Sequence, residues 1–123
     1  MNTIRYYRDL DAWQSAMDLA VAAHNLARTL PVTHRFELAA QIRRSATSIP
    51  SNIAEGHAQR GDRILRRHVR IALGSLAELE TQLELSVRLN LVQQQSVESF
   101  NSQLVRTGQL LNGLYRTLKS GSE

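Results

Sequence analysis

Apolar residues recur at intervals of three and four positions along most of the chain, and this periodicity is the feature that most restricts its fold. The clearest stripe lies in residues 62–90, where successive apolar side chains are separated by four, three, four, three and four positions. Its members are Leu65, Val69, Ala72, Leu76, Leu79 and Leu83. This heptad spacing places them on one face of an α-helix that packs against other helices. No segment of useful length alternates with period two, as strands do, so the sequence predicts an all-α fold.

The same criterion predicts four helices, at residues 10–30, 33–58, 62–90 and 96–118. Pro31 ends the first helix, Asp62 caps the start of the third, and Asn90 caps its end. The apolar stripe of the fourth helix comprises Val97, Phe100, Leu104, Gly108, Leu111, Tyr115 and Leu118. Amphipathic helices with short connections favour an antiparallel, up-down-up-down four-helix bundle. We therefore predict a single domain over residues 1–123, with a disordered tail at about residues 120–123.

A proline, Pro50, lies inside the second predicted helix. The core face of that helix is formed by Leu38, Ile42, Ala46, Ile49 and Ile53. A proline within a helix removes one backbone hydrogen bond and crowds the carbonyl four residues earlier. We therefore expect a kink near residues 46–49 or, alternatively, two shorter helices. Gly56 or Gly61 would supply the break at the carboxyl end.

The first predicted helix carries two apolar stripes. We assign to its core face Leu10, Trp13, Met17, Val21 and His24. The other stripe comprises Ala12, Leu19, Ala23, Leu26 and Leu30. The third helix also has apolar residues outside its core stripe, namely Ile64, Ile71 and Leu89. Because a monomeric bundle would leave these additional residues exposed to water, we predict a homo-oligomer.

Arginine is concentrated at the start of the third predicted helix. The chain has a net charge of +4, and fourteen of its fifteen basic residues are arginines. Five of them fall within eleven residues: Arg60, Arg63, Arg66, Arg67 and Arg70. At helical spacing these like charges repel one another, and bound phosphates would offset that repulsion. The cluster therefore predicts sequence-independent contacts with a nucleic-acid backbone.

The residues leave two other interpretations of this cluster open: a solvated face, or a surface that binds an acidic partner or subunit. Of the adjacent Arg43 and Arg44, one would extend the cluster and the other would pair with Glu37, Glu55 or a glutamate of the third helix. We include Arg43 in the predicted site. No aromatic residue interleaves the cluster in sequence, so base stacking is not indicated.

No catalytic, metal or cofactor site is predicted. The chain has no cysteine, and the Glu-x-x-His pairs of carboxylate di-iron bundles are absent. Phosphate-binding glycine loops and the G-x-S-x-G motif are absent as well. No apolar run approaches the length of a membrane span, and the N-terminus lacks the pattern of a signal peptide. We therefore predict a non-enzymatic, cytoplasmic protein without a cofactor or membrane contact.

Three motifs in fixed order carry a resemblance to a known family. They are YRDLDAWQ at residues 7–14, QIRRSATSIPSNIAEG at residues 41–56 and IALGSLAELETQL at residues 71–83. Over residues 6–91 the chain resembles the bacterial four-helix-bundle proteins encoded in intervening sequences of large-subunit ribosomal RNA genes. The resemblance implies a homopentameric ring and no established enzymatic activity. It also implies distant kinship with the accessory proteins of diversity-generating retroelements, which bind nucleic acid and a reverse transcriptase.

These features together predict a non-enzymatic, oligomeric, basic bundle that binds RNA or DNA through phosphate contacts. The predicted site comprises Arg43, Arg60, Arg63, Arg66, Arg67 and Arg70. The predicted partners are further copies of the chain, nucleic acid such as ribosomal RNA and, by the resemblance, a reverse transcriptase. The alternative is a protein-interaction scaffold whose basic edge binds an acidic protein partner.

Overall fold

A computed structural model describes residues 6–34 and 36–118 of the chain. Short 3-10 turns, Tyr7–Asp9 and Val32–His34, precede the first two long helices. The α-helices are α1 (Asp11–Ala27), α2 (Leu38–Ala58), α3 (Asp62–Arg88), α4 (Gln94–Glu98) and α5 (Asn101–Thr117). No strand occurs among the described residues, so the all-α prediction is confirmed. The predicted disordered tail lies outside the described residues.

The four long helices form one bundle around a common core. Both α2 and α5 pack against α1 and α3, which closes the bundle. Hydrogen bonds between α2 and α3 join Ser45 to Gln82, Ser48 to Ser75 and Asn52 to His68. Because these partners run in opposite chain order, α2 and α3 are antiparallel. The four-helix bundle is therefore confirmed, while the up-down-up-down order of all four helices and the kink at Pro50 stay predictions.

The predicted core stripes of α2 and α3 are buried. In α2, the side chains of Ile42, Ile49 and Ile53 have no exposed surface. Burying an isoleucine completely stabilises the fold by about 1.5–3 kcal/mol. The α2 helix continues without interruption through Pro50, which excludes the alternative of two shorter helices.

The two stripes of α1 have the opposite roles from those predicted. Leu19 and Ala23 are completely buried, whereas Met17 and Val21 are 38% and 58% exposed. The stripe that we expected to be exposed is therefore the core face. The physical reason is that α1 packs between α2 and α5, so its inward face is set by the position of both neighbours. Small alanines on that face allow both helices to approach closely.

The boundaries of two helices also differ from the prediction. A 3-10 turn occupies Val32–His34, so α2 begins at Leu38 and not at residue 33. The fourth predicted helix is divided into α4 and α5, because Phe100 leaves helical geometry with φ of −120° and ψ of 23°. Phe100 is still buried on the predicted stripe. The apolar spacing continues across the break and therefore could not reveal it.

Residues with unusual backbone geometry define the ends of α3. Arg60 and Gly61 form the preceding turn with φ of 62° and 102°, so Gly61 is the glycine that supplies the break. Gly56 lies inside α2, where an added Cβ would come within 2.6 Å of the His68 Cβ. At the other end Asn90 has φ of 59°, and the backbone N–H of Leu91 donates to the carbonyl of Ser86 at 2.9 Å. Asn90 therefore ends α3 as predicted.

Candidate nucleic-acid interface

The five arginines of the predicted cluster, which we call the basic edge, lie in the turn before α3 and in its first half. They are Arg60, Arg63, Arg66, Arg67 and Arg70. Arg63, Arg67 and Arg70 are exposed and share the face of α3 that lies opposite the core stripe. Arg60 is exposed in the turn. These four cations therefore face solvent, and for Arg63, Arg67 and Arg70 helical spacing accounts for the shared face.

The exposed arginines of the basic edge have no acidic partner among the described residues. Among residues 6–34 and 36–118, the salt bridge found joins Arg88 Nε to Glu84 Oε2 at 2.9 Å. It lies near the carboxyl end of α3, away from the basic edge. No carboxylate of the described residues lies within 4 Å of Arg60, Arg63 or Arg70, nor of Arg67. Within residues 6–34 and 36–118, no salt bridge neutralises these four charges.

The position of the basic edge at the amino end of α3 strengthens its positive potential. The aligned peptide dipoles place about half a positive charge at the start of a helix. The cap position of α3 is held by Gly61 and not, as predicted, by Asp62, which is the first residue of the helix, so the cap residue offers no side chain to the first backbone amides. Arginines at this end destabilise the helix slightly, and the acidic Asp62 in the first turn acts in the opposite direction. Side chains and helix end together therefore favour phosphate or another anion.

Arg66 differs from the other members of the basic edge because α5 holds it in place. Its guanidinium carbon lies 4.1 Å from the centroid of the Tyr115 ring. Its Nη1 donates a hydrogen bond to the backbone carbonyl of Leu118 at 3.2 Å. Arg66 and Tyr115 are both half-buried. The fold thus places an aromatic ring beside the arginines, a feature that the absence of aromatic residues within the cluster concealed.

Arg43 lies apart from the basic edge. It is half-buried on the side of α2 that faces α1 and lines a groove between these helices. The hydrogen bond between Ser45 and Gln82 places this level of α2 beside the second half of α3. Gln82 follows Arg70 by twelve residues, which corresponds to about 18 Å along the helix. Arg43 is therefore not part of the basic edge, and neither Glu37 nor Glu55 lies within salt-bridge distance of it.

The groove between α1 and α2 is a second surface feature, with a volume of about 660 Å³. Its lining from α1 includes Trp13, Met17 and Val21, which belong to the stripe that the sequence predicts as core. Arg28 and Arg43 lie in the same lining. The groove is thus mostly apolar with a basic contribution, and sequence periodicity missed it because it assigned this stripe to the interior.

The described residues contain neither a cluster of metal-ligating side chains nor a helix that could span a membrane. Within residues 6–34 and 36–118, no group of three or more His, Cys, Asp or Glu side chains is placed to hold a metal ion. No helix in the same part of the chain combines the length and apolar character needed to cross a membrane.

Comparison with known proteins supports the fold. A crystal structure of a protein of unknown function from the S23 ribosomal protein family of Bacteroides thetaiotaomicron is similar, with a TM-score of 0.78. Its sequence is 29% identical, and the match covers 86% of this chain and 99% of that one. Comparison with curated protein sequences found no match. The kinship with retroelement accessory proteins stays a prediction.

A family model gives the assignment. It matches residues 8–113 and so includes most of α5, beyond the range over which the sequence motifs carry the resemblance. The chain belongs to the family of the 23S rRNA-intervening sequence protein.

Proposed function

We propose that this protein is a non-enzymatic, homo-oligomeric bundle of the cytoplasm that binds nucleic acid, RNA in particular, through contacts between arginines and phosphates. The observation that carries the proposal is the group of four exposed arginines without acidic partners in the described part of the chain. The link of the family to 23S rRNA makes ribosomal RNA the first target to test.

The proposed binding is electrostatic and independent of sequence. Each arginine that neutralises a phosphate releases condensed counterions, so affinity falls as salt concentration rises. Three neutralised phosphates give a slope of about −2.7 in a plot of log K against log salt concentration on duplex, and about −2 on single strands. One subunit alone would bind weakly, but an oligomer presents several copies of the basic edge, and their contacts reinforce one another.

Self-association is proposed because apolar side chains remain on the surface of the single chain. Met17 and Val21 are exposed in the groove between α1 and α2, and Ile64 and Ile71 are 37% and 42% exposed on α3. A second copy of the chain would remove these side chains from water. The resemblance implies a ring of five subunits. A monomeric mass by light scattering at micromolar concentration would contradict this part of the proposal.

The alternative function is a protein-interaction scaffold that binds an acidic partner, such as a polymerase. The same exposed arginines favour it, because carboxylates and phosphates both suit the guanidinium group. The two functions differ in what the basic edge binds, nucleic-acid phosphates or protein carboxylates. A measurement of RNA binding therefore distinguishes them.

The test measures binding of structured ribosomal RNA by fluorescence anisotropy at about 50 mM and about 200 mM salt, concentrations between which phosphate-dominated affinities fall steeply. The variant replaces Arg63, Arg67 and Arg70 with alanine. We expect affinity to fall at least tenfold and the salt slope to decrease by about 2–3.

The matched control replaces three exposed arginines outside the basic edge, Arg28, Arg88 and Arg106, with alanine. It changes the net charge by the same amount but leaves the proposed site intact, so we expect a much smaller loss of affinity. If wild-type protein does not bind at about 50 mM salt, or if both triple variants lose affinity equally, binding by the basic edge is refuted.

A further inference from the structure

We propose that the contact between Arg66 and Tyr115 is a stacking platform for an unpaired nucleobase, so that the basic edge binds single-stranded nucleic acid in preference to duplex. This inference rests on the proposed function, because it assigns the form of nucleic acid that the basic edge recognises. One arginine of the five, Arg66, is held in place over an aromatic ring, a contact that phosphate binding alone does not require.

The geometry of Arg66 suits stacking more than simple charge neutralisation. Its guanidinium lies over the Tyr115 ring at 4.1 Å, and its hydrogen bond to the Leu118 carbonyl fixes the group from a second direction. A guanidinium is planar and carries five N–H donors, of which this hydrogen bond uses one. Because one contact comes from α5 and the other from Leu118 directly after it, the plane is oriented before any ligand arrives, and little side-chain entropy remains to be lost on binding.

The neighbouring arginines complete a site for a nucleotide. Arg63 and Arg70 lie three residues before and four residues after Arg66, so each is about one helical turn from it. Both are exposed. A nucleotide in a single strand presents a flat base between two backbone phosphates. The stacked pair of Arg66 and Tyr115 matches the base, and the flanking arginines match the phosphates.

Base stacking provides a physical reason for strand preference. In a duplex the faces of the bases are covered by their neighbours, so only phosphates are available to the arginines. In a single strand a base can stack on an arginine or aromatic plane in addition to the phosphate contacts. Removing the aromatic partner of one stacked base lowers affinity by roughly tenfold or more. We therefore expect the single strand to bind roughly tenfold more tightly than a duplex of equal length.

The experiment compares a single-stranded RNA that carries 2-aminopurine with the same RNA annealed to its complement. Binding is measured by anisotropy at about 50 mM salt, and stacking is measured by the loss of 2-aminopurine fluorescence. Arg66→Lys keeps the charge but removes the plane. We expect it to lower single-strand affinity roughly tenfold, to change duplex affinity less than about twofold and to abolish the fluorescence loss.

Two variants control for charge and for folding. Arg106→Lys makes the same chemical change at an exposed arginine outside the basic edge, so we expect its affinity for the single strand and its affinity for the duplex each to stay within about twofold of wild type. Tyr115→Phe keeps the ring and should retain the strand preference, whereas Tyr115→Leu should lose it. Circular dichroism checks that each variant is folded. If Tyr115→Leu does not fold, the result for Arg66→Lys decides the outcome.

The possible results separate this inference from the proposed function. If wild-type protein binds both strand forms equally, or if Arg66→Lys weakens both equally, the stacking platform is refuted while nucleic-acid binding stands. If wild-type protein binds neither form at about 50 mM salt, the proposed function fails and the inference fails with it.

Discussion

Replacing Gly56 with alanine would place a methyl group at a position where α2 and α3 approach closely. An ideal Cβ at Gly56 would lie 2.6 Å from the Cβ of His68, 3.0 Å from its Cγ and 3.2 Å from the Cα of Leu65. The nearest of these atoms is attached directly to the backbone of α3, so a change of side-chain rotamer cannot relieve the overlap. The two helices would have to separate, and their close packing would be lost.

The magnitude follows from three contributions to the free energy of unfolding. Overpacking of a well-packed interior costs about 1–3 kcal/mol. Displacing His68 also weakens its hydrogen bond to Asn52, 2.9 Å long, which costs about 1 kcal/mol. The higher helix propensity of alanine offsets about 1 kcal/mol of this loss of stability. We therefore expect Gly56→Ala to lower stability by about 1–3 kcal/mol and Tm by roughly 4–12 °C.

The assay is denaturant unfolding followed by circular dichroism, at one protein concentration because self-association shifts apparent stability. Gly74→Ala is the matched control: Gly74 lies inside α3, and a Cβ there would meet no atom within 4 Å. That variant should gain about 0.5–1 kcal/mol from helix propensity alone. If Gly56→Ala were stabilised to the same extent, the inferred close approach of α2 and α3 would be wrong.

Three further perturbations test other parts of the structure. Val21→Glu should disrupt self-association, measured by sedimentation, and should leave helicity unchanged because Val21 is 58% exposed in the single chain. An unchanged assembly would show that another surface mediates self-association. Gly61→Ala should lower stability by about 1–3 kcal/mol in thermal unfolding, because φ is 102° and no steric contact contributes. Thr107→Val should cost about 1–3 kcal/mol by removing the 2.7 Å hydrogen bond to the buried Ser15. Addition of Ser15→Ala should recover part of that loss, and no recovery would show that the hydrogen bond does not matter.

The predictions from sequence succeeded where one helix alone determines the answer. The stripe from Leu65 to Leu83 is buried, and Asn90 ends α3 with positive φ. The exposed face shared by Arg63, Arg67 and Arg70 also follows from spacing within one helix. Helical geometry is local, so a pattern of seven residues is sufficient to specify which side chains share a face.

The ring of Tyr115 beside Arg66 required contacts between distant parts of the chain. The hydrogen bond of Arg66 to Leu118 joins residues 52 positions apart. The predicted antiparallel order of the last two long helices places the end of α5 beside the start of α3. That order was the one signal in the sequence that could have brought Tyr115 next to Arg66. Periodicity places Tyr115 only on the apolar stripe of the fourth predicted helix, because it describes burial and not neighbours.

By itself, the sequence determined an all-α chain, the composition of its helix faces, the positive end of α3 and membership of the family. Tertiary structure alone decided which stripe of α1 is inside, since Leu19 and Met17 both satisfy helical spacing and only packing against α2 and α5 distinguishes them. It also decided that Arg43 lies in a groove away from the basic edge. The physical reason is that periodicity fixes directions around one helix axis, whereas burial and contact depend on where the other axes lie.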